Sequence, residues 1–435
     1  MTNPSLPGSR VALVLLTAMA CALFALPALA GSQARIVRLS DVQGSVQIDK
    51  NTGLGFESAF LNLPVMQGAQ LRTRGSGRAE IEFEDGSTMR VGPNTAVEFS
   101  TLGVSDSGQR VSEVTLTEGL AYVNWLEKGG FTLNFSREKM TLDHPAHFRV
   151  EALPEIVKLA VFKGSVDVEG PSGKVTVTQK EMAEFAVANQ DQFTLAKEIE
   201  VARLDDWDKQ AIQYHEQYAR NNSSPYGYGA SDLGYYGNYT TVPGYGMMWQ
   251  PFFTGVGWDP FMDGAWSWYP GYGSMFVSAY PWGWLPYRYG NWMFVPGMGW
   301  MWQPGGYSTW NALPSTAGKV PVTFHPPVAP TGVVHPVVLG KGGPVESSTS
   351  SFGMMIRNGS GGIGVARGSI ANLKGLNREV AKSGSVEVRS TAMSGPATRG
   401  GGFAPSNGGQ SGMSSSSMSH SASSSSGGHA SGGHR

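Results

Sequence analysis

Four groups of polar side chains in this 435-residue chain have types and spacing that could do chemistry, and most meet a physical objection. His144 and His147 stand three apart, a spacing that shares one face of a helix, but Pro145 lies between them in strand-like sequence and no H-E-x-x-H follows. They are read as a turn pair. Glu80, Glu82 and Glu84 alternate, so they share one side of a strand, read as its solvated side; a glycosidase needs two carboxyls from converging elements flanking a cleft. Asp259 and Asp263, set among aromatics, are the only acids worth testing for such a role. His420, His429 and His434 near the C-terminus could hold a transition metal only by ordering flexible sequence, at an entropic cost. The sole cysteine, Cys21, falls in a segment expected to be removed, which leaves no thiolate nucleophile, disulfide or Cys-based metal site. Nucleophile elbows, phosphate loops and dinucleotide fingerprints are absent from the sequence. The expectation is a protein that is not an enzyme and carries no cofactor or metal.

Aromatic side chains offer a different use. Trp258, Trp266, Trp268, Trp284, Trp292 and Trp302 lie in strand-rich sequence, where outward-facing rings make flat platforms that stack on sugars. A competing reading makes the same rings the core of small hairpins, because few Leu, Ile or Val residues are available there; docking to protein is a third. Alternation along a strand lets different residues serve different ends.

The elements that would position these groups follow from periodicity. Residues 35–196 alternate apolar and polar positions in short runs broken by Gly, Asn and Asp, the signal of an all-β domain of about a dozen strands. Asp85-Gly86 is read as a type I′ hairpin turn between Ala79–Phe83 and Thr88–Val91. One amphipathic helix is expected over 201–220, with Leu204, Trp207, Ala211, Tyr214 and Tyr218 on one face, Asp206, Lys209, Gln213 and Arg220 on the other, and an acidic first turn. Its expected role is to pack on the β domain.

Residues 221–305 hold nine of the twelve Trp, eleven of the fifteen Tyr and only four charges. They also repeat. Trp258-x-Pro260-Phe261-x-x-Gly264-x-Trp266-x-Trp268-x-Pro270-Gly271-x-Gly273 superposes at an offset of 26 on Trp284-x-Pro286-Tyr287-x-x-Gly290-x-Trp292-x-Phe294-x-Pro296-Gly297-x-Gly299. A third copy contains Pro243-Gly244-x-Gly246, and Met248-Trp249-Gln250-Pro251 recurs as Met301-Trp302-Gln303-Pro304. A module of three aromatic β-hairpins over 235–305, each turning at Pro-Gly, is expected.

These motifs carry two resemblances. Gly44-x-Val46, Gln67-Gly68-Ala69-Gln70-Leu71-x-Thr73, Ala79-x-Ile81-x-Phe83-x-Asp85-Gly86-Ser87-x-Met89-x-Val91 and Thr95-x-Val97 resemble the FecR domain, with a looser likeness through Val166. The best-known members of that family are periplasmic parts of ferric-citrate signalling, in which a membrane-spanning protein relays a signal to a cytoplasmic sigma factor. Sigma-factor control is not carried over, because a cleavable signal is expected ahead of the domain and neither an anchoring helix nor a cytoplasmic segment is read. The repeat resembles a Trp/Tyr/Gly-rich domain of unknown function found after FecR domains in bacterial exported proteins, and that resemblance implies no activity.

Residues 1–30 read as a secretory signal peptide: Arg10, an apolar run over Val11–Ala28, and Ala28-Leu29-Ala30 before Gly31. Ala18-Met19-Ala20-Cys21 invites lipidation instead, but the apolar run continues past it. No later stretch is apolar enough to span a membrane. Ten Lys/Arg against three Asp/Glu after residue 305 leave −8 on the first 305 residues, given −1 overall, which disfavours a nucleic-acid partner. Residues 306–435 are read as a low-complexity, mostly disordered tail with a modest amphipathic run near Ile370–Val388. The expectation is a mainly β, exported protein of the periplasm or beyond, structural or recognising, with an envelope protein or a wall or surface glycan as partner. The alternative is a FecR-like sensor component of envelope signalling or metal uptake.

Overall fold

Alternating β-branched and aromatic residues between Gly- and Asn-rich turns build most of what the computed structural model describes, which is residues 35–187, 192–222, 224–333, 337–339 and 354–388. The expected signal peptide with Cys21, and His420, His429 and His434, lie outside the described residues. The first fifteen strands are β1 (Val37–Asp49), β2 (Glu57–Ser58), β3 (Pro64–Val65), β4 (Gln70–Glu82), β5 (Thr88–Val91), β6 (Ala96–Val104), β7 (Arg110–Trp125), β8 (Phe131–Phe135), β9 (Glu138–Leu142), β10 (Ala146–Ala152), β11 (Ile156–Lys163), β12 (Ser165–Gly170), β13 (Gly173–Thr178), β14 (Met182–Ala186) and β15 (Gln192–Ala196). They join into one sheet in the order β13-β12-β9-β8-β7-β10-β11-β14-β15, with β1, β4, β5 and β6 attached through β4 and β7. Leu39, Ile48, Ile81, Val114, Leu116, Leu133, Phe148 and Leu159 are among the side chains that fill its aliphatic core.

The turn after β4 differs from the expected type I′. Gly86 N–H donates to the Phe83 carbonyl (2.9 Å) and Phe83 N–H to the Ser87 carbonyl (2.8 Å), and among the loop residues only Gly86 takes a positive φ, +91°. A type I′ turn needs two left-handed residues; a turn over 83–86 closed by a glycine bulge needs one, and it makes Glu84 a loop residue.

Helix α1 (Asp205–Tyr218) is followed by α2 (Ala230–Tyr236). The three aromatic hairpins then appear as β16 (Gly237–Val242) with β17 (Gly246–Pro251), β18 (Gly264–Tyr269) with β19 (Gly273–Ser278), and, after the short helix α3 (Leu285–Arg288), β20 (Asn291–Val295) with β21 (Gly299–Gln303). All three turn identically. Val242 pairs with Gly246, Tyr269 with Gly273 and Val295 with Gly299, and in each loop the residue after Pro-Gly donates back to the strand's last carbonyl. Pro at the first central position and a glycine at φ near +80° in the second (+80°, +78° and +78°) satisfy a type II turn.

The hairpins do not stack in tandem. The first and third share a five-stranded sheet through Trp249 opposite Trp302, while the second belongs to another. The reason is in the repeat itself. Gln250 Nε2 donates to the Met298 carbonyl in the third turn (2.6 Å), and Gln303 Nε2 to the equivalent Tyr245 carbonyl in the first (3.0 Å). In the second hairpin that glutamine is replaced by Val277, which with Ala265, Tyr269 and Met275 joins the aliphatic core of the first sheet. The opposite face of the same hairpin sends Trp266 and Phe276 into a separate, mainly aromatic core.

Residues 306–333, 337–339 and 354–388 correct the expectation of a mostly unfolded tail for the part of it that is described. β22 (Thr316–Ala317) pairs with β20 and β23 (Val337–Leu339) with β18. β24 (Met354–Arg357), α4 (Leu373–Ser383) and β25 (Ser385–Val388) follow, and Ile356, Val365, Leu373 and Val380 are buried in the aromatic core. Too few apolar residues stand here to make a core of their own, but enough to complete one that exists. Residues 389–435 lie outside the described residues. Among the described residues, no helix is long and apolar enough to cross a membrane.

Candidate functional site

The six tryptophans offered as a sugar platform do not form one. Trp284, Trp292 and Trp302 are fully buried and Trp266 and Trp258 nearly so (2% and 5% exposed), while Trp268 is half-buried. Trp302 Nε1 donates to the Tyr289 carbonyl (2.8 Å) and Trp258 Nε1 to the Tyr280 hydroxyl (2.9 Å). The second hairpin is covered by the β domain on one face and by other rings on the other. In the first and third hairpins the tryptophan-bearing face lies against other rings, with Val242, Met248, Val295 and Met301 clustered on the opposite side, so the flat surfaces that stacking requires are spent on packing. Trp249 and Trp282, left out of the platform, share this core: Trp282 lies parallel to Tyr280 at 4.9 Å.

Charge collects instead on β4. Glu80, Glu82 and Glu84, expected on a solvated face, are buried, because helices α1 and α2 and the loop before α2 cover that side of the strand. The alternate residues Ala79, Ile81 and Phe83 point into the aliphatic core, so this strand is buried on both faces. Each glutamate has an arginine. Arg90 Nε meets Glu80 (2.8 Å), Arg38 Nη1 meets Glu82 (3.1 Å), and Arg35 pairs with Glu84. Arg38 and Arg90 stand opposite Glu82 and Glu80 in strand register, which is the sequence signal that was available: paired opposite charges inside otherwise apolar strands.

Helices complete the cluster. Arg90 Nη1 reaches Asp208 of α1 (2.6 Å), whose other oxygen meets His147 Nε2 (2.7 Å). That contact accounts for His147, while His144 is exposed. From α1, His215 Nε2 meets Glu80 (3.0 Å); from α2, Asp232 meets Arg38 (2.6 Å) and accepts from the Tyr214 hydroxyl (2.8 Å). The docking face of α1 therefore includes Asp205, Asp208 and His215 beside the expected Tyr214, with Asp206, Lys209, Gln213 and Arg220 exposed as expected. Arg367, between β24 and α4, bridges Glu80 (2.8 Å) and Asp232 (2.7 Å). Burial alone would raise Glu80, yet His215, Arg90 and Arg367 beside it hold it well below the usual carboxylate range. Asp232 is likewise lowered, Arg367 and Arg38 outweighing burial, whereas burial wins at Glu82 and raises it.

A backbone seam runs alongside. Gly227 N–H donates to the Glu84 carbonyl (2.6 Å) and Gly229 N–H to Glu82 (2.9 Å). A side chain at Gly227 would fall on the backbone of Asp85 and Gly86. Asn62, fully buried, donates to the Ser278 and Tyr280 carbonyls (2.9 and 2.8 Å), and Lys50 Nζ donates to Ser267 (2.7 Å). Asp259 accepts from the Phe261 N–H (2.7 Å) and Asp263 from the Tyr280 hydroxyl (3.1 Å), both bonds within the aromatic module. Among the described residues, no group of three His, Cys, Asp or Glu could hold a metal ion. An open groove of about 380 Å³ on the β domain is lined by Phe56, Gln70, Arg72, Arg74, Glu98 and Glu118 among others.

Comparison with known proteins gives the two modules their relatives. Residues 69–167 match the family described as FecR protein, and residues 230–326 match a family of unknown function, DUF6600. The Asp85-Gly86-Ser87 turn falls in the first match and all three hairpins in the second. No curated protein matches. Two solved structures described as a "putative anti-sigma factor" from Parabacteroides distasonis ATCC 8503 are similar at 20% and 19% identity, each with TM-score 0.27, over 30% of this chain. The chain spans 59% of the length of each.

Proposed function

We propose that this chain is a sensor component of envelope signalling that acts by protein recognition and not by catalysis. The FecR match over 69–167 is the observation that carries the reading, and the geometry supports it: the matched β4 strand and its Asp-Gly-Ser turn are already used to bind polypeptide, through the Glu84 carbonyl, the Glu82 carboxylate and the arginine-paired face between them. The buried tryptophans remove the basis for a glycan platform. Export is part of the reading and rests on the signal-like residues 1–30.

Binding of the exported protein to envelope fractions, before and after protease treatment, tests the recognition half. Retention by the protein fraction that protease abolishes is expected; retention on protease-stripped wall glycan would contradict it. Transcript profiling of a deletion strain tests the signalling half. A defined gene set that changes on deletion and returns with the wild-type chain is expected, and an unchanged profile would sink the sensor reading.

A further inference from the structure

We propose that residues 354–388 form a detachable strap, held across the seam between the FecR-like β domain and the aromatic module by Arg367. The strap gives no strand to either body. β24 and β25 pair only with each other, with α4 between them, so the regular backbone bonding of this segment is internal. Its attachments to the body are two backbone bonds, from the Gly359 and Gly361 N–H groups to the Phe253 carbonyl (2.7 and 3.2 Å), and side-chain contacts. Trp282 Nε1 donates to the Gly361 carbonyl (2.7 Å), the Tyr236 hydroxyl to the Val365 carbonyl (2.7 Å), and Asn377 Oδ1 accepts from the Phe253 N–H (2.7 Å).

Arg367 reaches both sides of the seam. Its guanidinium meets Glu80 of β4 and Asp232 of α2 at 2.8 and 2.7 Å, and lies over the Tyr214 ring of α1 at 5.5 Å. Departure of the strap leaves no carboxylate orphaned. Glu80 keeps Arg90 and His215, and Asp232 keeps Arg38 and the Tyr214 hydroxyl. A buried ion pair is hard to break chiefly because the abandoned charge stays unpaired. Here the body's carboxylates are spared that cost, the strap's arginine returns to water, and the groups left to be hydrated are neutral, Trp282 Nε1 and the Tyr236 hydroxyl among them. The ionic contact thus releases without stranding a carboxylate, while the strap's buried apolar residues Ile356, Val365, Leu373 and Val380 and the acceptors it gives Trp282 and Tyr236 hold it on the aromatic core.

The test uses the full chain with a protease site placed between Leu339 and Met354, cut under native conditions. The C-terminal piece is expected to co-elute with the body at neutral pH and low salt and to rebind after separation. Arg367→Ala should weaken that association about thirtyfold or more. Arg367→Lys should fall between, since one ammonium does not present the two-pronged geometry that serves both carboxylates. The separated body should keep a cooperative melt. Three outcomes overturn the proposal: a wild-type piece that leaves on cutting, an Arg367→Ala piece held as tightly as wild type, or a body that unfolds once the strap is gone.

Discussion

The FecR-like β domain and the aromatic hairpins are both made of short antiparallel strands, yet they fill their interiors with different material. The first packs Val, Leu, Ile and Phe from alternate strand positions; the second packs indole and phenol rings, many of whose polar edges end on backbone carbonyls, as Trp249 Nε1 does on Leu233 (3.0 Å) and Trp282 Nε1 on Gly361 (2.7 Å). An aliphatic core closes by area alone. A ring core also carries N–H and O–H groups, and loops and the strap accept from several of them, while Nε1 of Trp266 and of Trp292 is buried with no acceptor among the described residues. The second hairpin joins the two, with Val277 facing one core and Phe276 the other.

The largest test of this contrast is Trp282→Ala. Trp282 is fully buried, stacks on Tyr280 and sits against Trp249, so its loss should cost about 3 to 5 kcal/mol. Because the seam is continuous, the β domain should lose stability with it, seen as one shifted denaturant transition. Trp268→Ala, at a half-buried ring, should cost less than half as much. Equal costs would mean that burial does not separate these rings.

Next in size is the ionic seam. Arg38→Met takes the arginine from Glu82 and one of two arginines from Asp232 and should cost about 3 to 5 kcal/mol, read by urea unfolding. An effect under about 1 kcal/mol, the range of exposed pairs, would show the seam to be wet.

Legibility in the sequence divided along the same line. The Pro-Gly-x-Gly turns were readable because each backbone requirement selects one residue type, and so was the kinship of Met248-Trp249-Gln250-Pro251 and Met301-Trp302-Gln303-Pro304, whose tryptophans face each other across strands. The FecR likeness rested on Asp85-Gly86-Ser87, where Asp85 does accept from the Ser87 N–H (3.1 Å). Burial was not readable. Alternating glutamates look alike whether water or a helix lies over them, and only the arginines in register across β1 and β5 distinguish the cases. In residues 354–388 the amphipathic run near Ile370–Val388 is legible and becomes α4 and β25, but the burial of the segment is not, because its few apolar side chains complete a core built from earlier residues.

Acid should probe the seam more gently. Glu80 and Asp232 are lowered in the fold, so their stabilisation is present above the ordinary carboxylate range and is lost as pH falls through their depressed values. Glu82, raised, acts oppositely and gains relative to the unfolded chain as pH falls. The expected profile of stability against pH declines only below the ordinary carboxylate range, and Glu80→Gln should flatten that limb. A wild-type decline centred at ordinary carboxylate values would contradict the pairing.

Two glycines give smaller effects. Gly227→Ala presses a methyl on the backbone of Asp85 and Gly86 and should cost about 1 to 3 kcal/mol through the seam. Gly271→Ala meets nothing within 4 Å but must hold φ at +78°, so about 1 kcal/mol is expected from strain alone, read in the same melts. A reversed order would make turn strain outweigh the close approach at the seam.

That the β domain and the aromatic hairpins fold as one body is the claim on which the rest depends, and scanning calorimetry of the wild-type chain tests it most directly. One endotherm is predicted, with calorimetric and van't Hoff enthalpies in agreement, and Arg38→Met should move all of it. Two resolved endotherms, with the β-domain transition unmoved by Arg38→Met, would contradict the account.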